Sequence, residues 1–350
     1  MNQESKKFLE ELLSTPSPSG AEEKIQKKWL DYLKDYADET MTDFSGNAIA
    51  VINPDAEFKV MITGHCDEIA FMVNYIDDNG FLSVVKSGGI NPKLALGSRV
   101  RVLTEDGIIN GVVGVNAEHH GGSKEKIKVE DIYIDCGFKD KEDAEKKINI
   151  GDYIIYDFDY NYLENDSLTA RGLDNRTGAF IVAEVIKQLS EMDCNVGVYA
   201  VSTVNEETNM GGAYFAGSGI TPNMAIACDV SFATDYPNLN KKKLGDVKLG
   251  KGPIISKGSP INKKINSLLE KAADTNNINI QYEVTPGRTG TDADKIRLTG
   301  KGVPVALVSL PLRYMHSPSE IVNLEDIKEE VRLLSEMISK LEGNENLKPV

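Results

Sequence analysis

The sequence predicts an α/β protein whose main domain is interrupted by a small β-rich insert. Three observations carry that expectation. Apolar, β-branched runs such as 196–204 and 224–228 alternate with amphipathic helical stretches, the rhythm of a largely parallel sheet. Between about 70 and 167 the texture shifts to short alternating strands, with no helix long enough to cross between parallel strands. After Leu168 the first rhythm returns. The expected division is therefore 1–69 with 168–350 as one discontinuous domain and 70–167 as the insert, and 350 residues suit two such units.

In chain order, 6–13 and 22–36 show helical periodicity, split by the breaker Thr15-Pro16-Ser17-Pro18-Ser19-Gly20. Short strands follow at 48–52 and 59–63, the second running into Gly64-His65-Cys66-Asp67-Glu68. In the insert, Asp78-Asn79-Gly80 and Glu105-Asp106-Gly107 are hairpin turns among strands at 81–85, 99–103, 108–113 and 151–156. A helix over 177–191 carries Phe180, Ala183, Ile186 and Leu189 on one stripe. Next come the strand 196–204, a small-residue helix from Gly212, and a strand over 224–228 that ends at Asp229. A helix at 261–273, strands at 278–284 and 303–310, and a helical stripe from Ile327 to Leu341 complete the domain. The tail after Glu342 is polar and expected to fray.

Composition narrows the function. A net charge of -15 argues against binding nucleic acid or an anionic membrane. No apolar run is long enough to span a bilayer, and Met1-Asn2-Gln3-Glu4-Ser5-Lys6 lacks the pattern of a signal peptide, so the expected location is cytoplasmic. Cys66, Cys136, Cys194 and Cys228 are scattered and form no CxxC pair, which argues for reduced thiols and against a sulfur-ligated zinc site.

The chemistry concentrates at strand ends. The run 198–204 stops abruptly at Asn205-Glu206-Glu207, and two acids at such an edge need a counter-charge, a metal or a proton. Other Glu-Glu pairs (Glu10-Glu11, Glu22-Glu23, Glu329-Glu330) sit in polar helical stretches and read as solvated faces. His65 ends another strand, with Asp67 two residues on and able to orient its imidazole; alternatively it is an ordinary structural histidine. Asp174, in Leu173-Asp174-Asn175-Arg176-Thr177-Gly178, is either a helix N-cap or a ligand. Asp229 ends a third strand, with Asp235 as a nearby competitor, and His316 follows a fourth. His119 and His120, ahead of Gly121-Gly122, read as a polar loop or as lining a site across a subunit boundary. Two histidines and three carboxylates without thiolates suit two divalent ions (zinc, cobalt or manganese) if one carboxylate bridges.

In this order, Gly64-His65-x-Asp67-Glu68, Asp174-Asn175-Arg176-Thr177-Gly178, Glu206-Glu207, Asp229 and Arg313-Tyr314-Met315-His316-Ser317-Pro318 resemble the dinuclear metallo-aminopeptidases. The branch is that of the glutamyl, deblocking and tetrahedral (TET) aminopeptidases, some of them labelled cellulase M. The resemblance covers nearly the whole chain. It implies a zinc-peptidase-like three-layer α/β/α catalytic domain with an inserted barrel- or PDZ-like β domain used for oligomerisation. It also implies a homo-oligomer, a tetrahedral dodecamer built from dimers, acting on short or unfolded peptides.

Carried over by position, the resemblance implies that His65 binds one metal, His316 the other, Asp174 bridges them, and Glu207 and Asp229 complete the two sites. It makes Asp67 the residue orienting His65 and Glu206 the general base toward a metal-activated water, and it implies a cis peptide at Asp174-Asn175. The stretch Gly287-Arg288-Thr289-Gly290-Thr291-Asp292-Ala293-Asp294 resembles the family's substrate loop, with Arg288, Thr291 and Asp292 as contacts. Arg288 would meet an acidic side chain or form a surface ion pair; Asp292 or Asp294 would meet a basic one. Thr208-Asn209-Met210-Gly211-Gly212 and Val230-Ser231-Phe232 depart from the usual Gly-Leu-Arg-Gly and Thr-His patterns, which leaves specificity open.

Two other readings compete. Paired carboxylates also serve glycoside hydrolases, but that chemistry needs no histidines at strand ends, and the single Trp29 offers little platform for sugar. A non-catalytic metal-dependent scaffold would not need Glu206 beside a complete ligand set.

Overall fold

Eight strands form one mixed sheet in the order Glu39–Thr42, Ala48–Ile52, Gly197–Thr203, Lys59–His65, Met224–Phe232, Val305–Leu312, Ile254–Gly258, Gln281–Thr285. The four strands from Gly197–Thr203 to Val305–Leu312 run parallel, so their carboxyl ends share one edge. This computed structural model describes residues 1–120, 122 and 126–350.

Both faces of the sheet are covered, which is why its strands read as unbroken apolar runs. Strand alternation divides each run between two cores. Ala48, Ala50 and Ile52 pack with the helices Gln3–Ser14, Glu23–Leu33, Leu173–Leu189, Lys263–Asn276 and Leu324–Ile338. Ile49 and Val51 face the helices Gly211–Ile220 and Ala293–Ile296 on the other side. The result is a three-layer α/β/α arrangement. Helix starts are fixed by side chains: Asn2, Asn262 and Asn323 each accept a backbone N–H of the first turn. Trp29 is fully buried and donates to the Ala179 carbonyl at 2.8 Å, so it is part of the core.

Six further strands close a barrel in the order Ala70–Ile76, Leu82–Ser87, Tyr133–Asp135, Gly107–Val113, Arg99–Thr104, Tyr153–Tyr156. Phe71, Leu82, Val100, Val102, Ile134 and Ile154 fill it as a separate core. A small antiparallel sheet of Tyr160–Tyr162, Ser167–Ala170 and Glu320–Asn323 runs across residue 167 and brings Glu320 beside the start of Leu173–Leu189.

Two elements differ from expectation where the site is built. Leu173–Leu189 begins earlier than 177, with Asp174 and Asn175 outside helical geometry and joined by a cis peptide. Met224–Phe232 runs on past Asp229, because its pairing with Val305–Leu312 continues to Phe232↔Leu312. The Lys59–His65 strand lies so close to the helix behind it that a Cβ on Gly64 would sit 2.2 Å from the Gly178 carbonyl carbon. Only glycine fits at that crossing. Among the described residues no helix is long and apolar enough to cross a membrane.

Candidate metal centre

The parallel edge gathers the acids and histidines. His65, at the end of Lys59–His65, is 1% exposed. Its Nδ1 lies 3.2 Å from Asp67 Oδ1 and its Nε2 lies 3.2 Å from Asp174 Oδ1. The other Asp174 oxygen is 3.2 Å from His316 Nε2. His316 Nδ1 in turn meets the Gly89 carbonyl at 3.1 Å, a group supplied by the barrel. Each ring thus has one nitrogen engaged by an oxygen acceptor and the other turned toward Asp174, the orientation that metal-ligating histidines adopt. Glu207 Oε2 stands 3.4 Å from His316 Nε2, Glu206 Oε2 3.6 Å and Asp229 Oδ1 4.0 Å from His65 Nε2.

Two triads result, His65-Asp174-Asp229 and Asp174-Glu207-His316, each with its ligand atoms within 4.8 Å of one another. They share Asp174. Oxygen and imidazole donors without thiolates suit zinc, cobalt or manganese. Glu207 Oε1 is buried without a hydrogen-bond partner, while its Oε2 faces His316. The donor set therefore fits a pair of divalent cations.

The electrostatics agree. Burial, opposed by His65 and reinforced by Asp229, Asp292 and Glu207, pushes the Glu206 carboxyl far above its usual range. Burial likewise raises Asp229 and Glu207, with the Asp174 charge adding to both. Asp174 is the exception. Burial would raise it, yet hydrogen bonds from His316 and His65 hold it low. Four crowded anions of this kind are what a dication stabilises.

Backbone hydrogen bonds fix the acids in place. Asp67 does more than orient His65: it accepts the N–H groups of Glu206 at 3.0 Å and Glu207 at 3.2 Å, and the Ser19 hydroxyl at 2.6 Å. Glu22 accepts the Asn205 N–H at 3.1 Å. Glu320, buried, accepts the Asp174 N–H at 3.1 Å and the His316 N–H at 2.7 Å, so one carboxylate ties the shared ligand to the second histidine. Beneath Asp174, buried Arg171 and Arg176 both pair with buried Glu68. The sequence assigned no role to Glu68, Arg171, Arg176 or Glu320, and it placed Glu22 and Glu330 on solvated faces, whereas both are buried.

A cavity of about 710 Å³ opens from this cluster, lined by Gly89, Asp174, Glu206, Glu207, Asp229 and His316, and farther out by Arg288 and Thr291. Asp292 is a correction to the expected substrate contacts. It is 2% exposed and accepts from the Thr203 hydroxyl, because the residue preceding Ala293–Ile296 turns inward against the sheet. Asp294 accepts the N–H groups of Thr289 and Gly290, both at 3.0 Å, and braces the loop. Arg288 is 83% exposed, with Nε 3.5 Å from Asp294. Asp235 is not part of the cluster, since Arg313 holds it by two bonds of 2.8 and 2.6 Å. His119 and His120 form an exposed turn, and Gly121 lies outside the described residues.

One supporting acid gives a pH signature. Burial raises Glu22 from 4.5 to about 7, against the opposing N–H groups of Gly20 and Asn205. A folded-state value above the unfolded one means that this contribution to stability is fully present below the unfolded pKa and is lost as pH rises through about 7. In Glu22→Gln the fall in thermal midpoint between about pH 5 and about pH 8 should therefore be smaller than in the wild type. Equal falls in the two proteins would remove Glu22 as the cause.

Comparison with known proteins gives a consistent picture. The M42 glutamyl aminopeptidase family matches residues 46–333. A putative aminopeptidase of Acetivibrio thermocellus is 37% identical over 324 residues, 91% of this chain and 94% of that one. The TET aminopeptidase structure from the marine sediment archaeon Thaumarchaeota archaeon SCGC AB-539-E09 superposes with a TM-score of 0.92 at 27% identity, covering 96% of each chain. The Pyrococcus horikoshii TET1 peptidase, described as assembling into a tetrahedron or a large octahedral shell, gives a TM-score of 0.85 at 30% identity, covering 96% of this chain and 100% of that one.

Proposed function

The chain belongs to the M42 glutamyl aminopeptidase family and is an aminopeptidase, and from that premise we propose that it cleaves N-terminal residues from peptides at a two-metal centre. The observation that carries this reading is the pair of triads sharing Asp174, with Glu206 beside them. His65 and Asp229 would hold one divalent ion, and His316 and Glu207 the other. Bound there, the two ions would acidify a water and polarise the scissile carbonyl.

The protein's own groups do the rest. Glu206 accepts the proton of the attacking water and delivers it to the departing amine. Asp67 keeps it in position by holding its backbone N–H at 3.0 Å while also facing His65 Nδ1. Two cations alongside would oppose the burial, and with it the anion repulsion, that raise the Glu206 carboxyl. Glu320 ties the backbone of Asp174 to that of His316, two residues that would hold the ions.

We further propose that residues 70–167 act as an oligomerisation unit and that the protein forms a tetrahedral dodecamer. The neighbour whose description includes a tetrahedron supports this, since it covers the barrel as well as the α/β layers. A closed shell would admit short or unfolded peptides and exclude folded proteins. Light scattering showing a monomer at micromolar concentration with metal present would refute it.

Hydrolysis of aminoacyl-p-nitroanilides, set against carboxymethylcellulose, tests the activity. Peptidase turnover should vanish with chelator and return with zinc, cobalt or manganese, while the polysaccharide stays intact in every condition. Cellulose cleavage insensitive to chelator would favour the glycosidase instead. Trp29 already argues against that outcome, because its ring is sealed in the core.

A further inference from the structure

The cavity wall holds one acid outside the metal cluster and its supports: Glu283, on Gln281–Thr285. Both its oxygens are engaged, one by the Ser231 hydroxyl and the other by the Ser256 hydroxyl. Ser256 is fully buried and pairs in register with Glu283 across neighbouring strands. Ser231 lies two residues beyond Asp229 on Met224–Phe232, on the same face of the sheet. Two strand residues span about 7 Å, so the serine clamp sets Glu283 that far along from the Asp229 ligand carboxylate.

Two hydroxyls use only two of the lone-pair positions of a carboxylate, and they leave its charge uncompensated. Among the described residues no cation pairs with Glu283. Lys257, beside Ser256, is taken by Glu270 at 2.8 Å, and Arg288 leans on Asp294 at 3.5 Å. A locked, unpaired anion facing the cavity is a preorganised receptor for a cation.

We infer that Glu283 selects the first residue of the peptide and favours a lysine or arginine there. The inference rests on the aminopeptidase reading. With the scissile carbonyl at the metal cluster, the first side chain leaves the backbone beside Asp229. The long stems of lysine and arginine bridge the two-residue step to Glu283 and end in a charged donor. An acidic first residue would meet repulsion at the same wall. Lys295 also lines the cavity, and a pocket built for an acidic residue would rely on it. The serine clamp gives Glu283 the fixed geometry that a free lysine stem lacks.

The test uses the metal-loaded, full-length protein with L-lysinamide and L-norleucinamide, which differ in the terminal ammonium. Calorimetric binding is read alongside steady-state cleavage of the matching p-nitroanilides. Wild type should favour lysine, and Glu283→Gln should cut the lysine-to-norleucine ratio roughly tenfold to a hundredfold. Norleucine values should stay within about twofold, since glutamine can accept from one serine through its carbonyl oxygen and donate its amide N–H to the other, whose hydroxyl turns to accept. A clamp with only a structural role would shift both ligands alike and leave the ratio unchanged, which overturns the inference. A preference for glutamyl substrates that is lost in Lys295→Met overturns it as well. Cleavage of neutral substrates without a lysine advantage sinks this inference alone. No turnover of any aminoacyl substrate sinks the aminopeptidase reading, and the binding ratio still decides the role of Glu283.

Discussion

Glu206→Gln should lower turnover by roughly two to four orders of magnitude while both metal ions remain bound. The amide keeps the shape of the side chain and its backbone anchor on Asp67, but it cannot take a proton. Peptide affinity should be largely retained, because the groups lining the cavity are otherwise unchanged. Glu207→Gln should behave differently. Its Oε2 lies 3.4 Å from His316 Nε2 and its Oε1 has no other partner, so a neutral amide there removes an anionic donor from one triad. One ion should weaken or leave, and any stability linked to it should fall too. Elemental analysis and steady-state kinetics on both variants decide the matter. Metal loss in Glu206→Gln with full occupancy in Glu207→Gln would exchange the two roles, and wild-type turnover in either would remove the two-metal reading.

The second large effect is on folding. Glu68→Gln should destabilise the protein by about 3–5 kcal/mol, enough to threaten the fold at working temperature. Glu68 is 2% exposed and accepts the Ser17 N–H at 3.0 Å, Arg171 at 2.8 Å and Arg176 as well. Burial drives Arg176 down to about 10 and the Glu68 charge opposes that fall. Without the anion, buried Arg176 loses its acid partner and, among the described residues, buried Arg171 keeps only Asp159, at 3.6 Å. Arg176 is two residues from Asp174 and donates to the Leu13 carbonyl at 3.0 Å, so the turn that presents the shared ligand should loosen with it. The thermal midpoint and the metal content should fall together. An unchanged midpoint would mean that the arginines find other acceptors.

The candidate cluster was legible to the extent that its residues terminate long apolar runs. His65 and Glu206-Glu207 each interrupt a β-branched stretch with a charge, a local contrast that survives in one dimension. Glu320 and Glu68 carry no such contrast. Glu320 follows Ser317-Pro318-Ser319, which reads as a loop, and its partners are the N–H groups of His316 and of Asp174, 146 residues away. The arginine that meets Glu68 at 2.8 Å is 103 residues distant. Pairing across such separations leaves no periodicity to detect.

The same logic separates the strands that were foreseen from those that were not. Ala48–Ile52 is buried at every position and reads plainly as a strand. Glu39–Thr42, at the sheet edge, is exposed at every position, so Glu-Thr-Met-Thr shows neither an apolar run nor alternation. Glu320–Asn323 is a strand because it pairs with Ser167–Ala170, about 150 residues earlier in the chain, which also pairs with Tyr160–Tyr162. Asp292 failed as a substrate contact for a related reason: the sequence places it in the loop but does not say which way the chain turns there.

The Gly89 carbonyl that meets His316 Nδ1 limits how this protein can be rebuilt. A Cβ at residue 89 would lie 2.6 Å from that nitrogen, and one at Gly88 would lie 3.4 Å from the Glu207 Cβ. The barrel has its own core, yet it is not a freely exchangeable module, because it supplies the carbonyl that His316 meets. A chimaera that grafted a barrel from a distant relative could preserve every residue of the α/β layers and still hand His316 the wrong tautomer. The seam of any such graft belongs on the far side of Gly88-Gly89, so that these two residues travel with the histidine they serve.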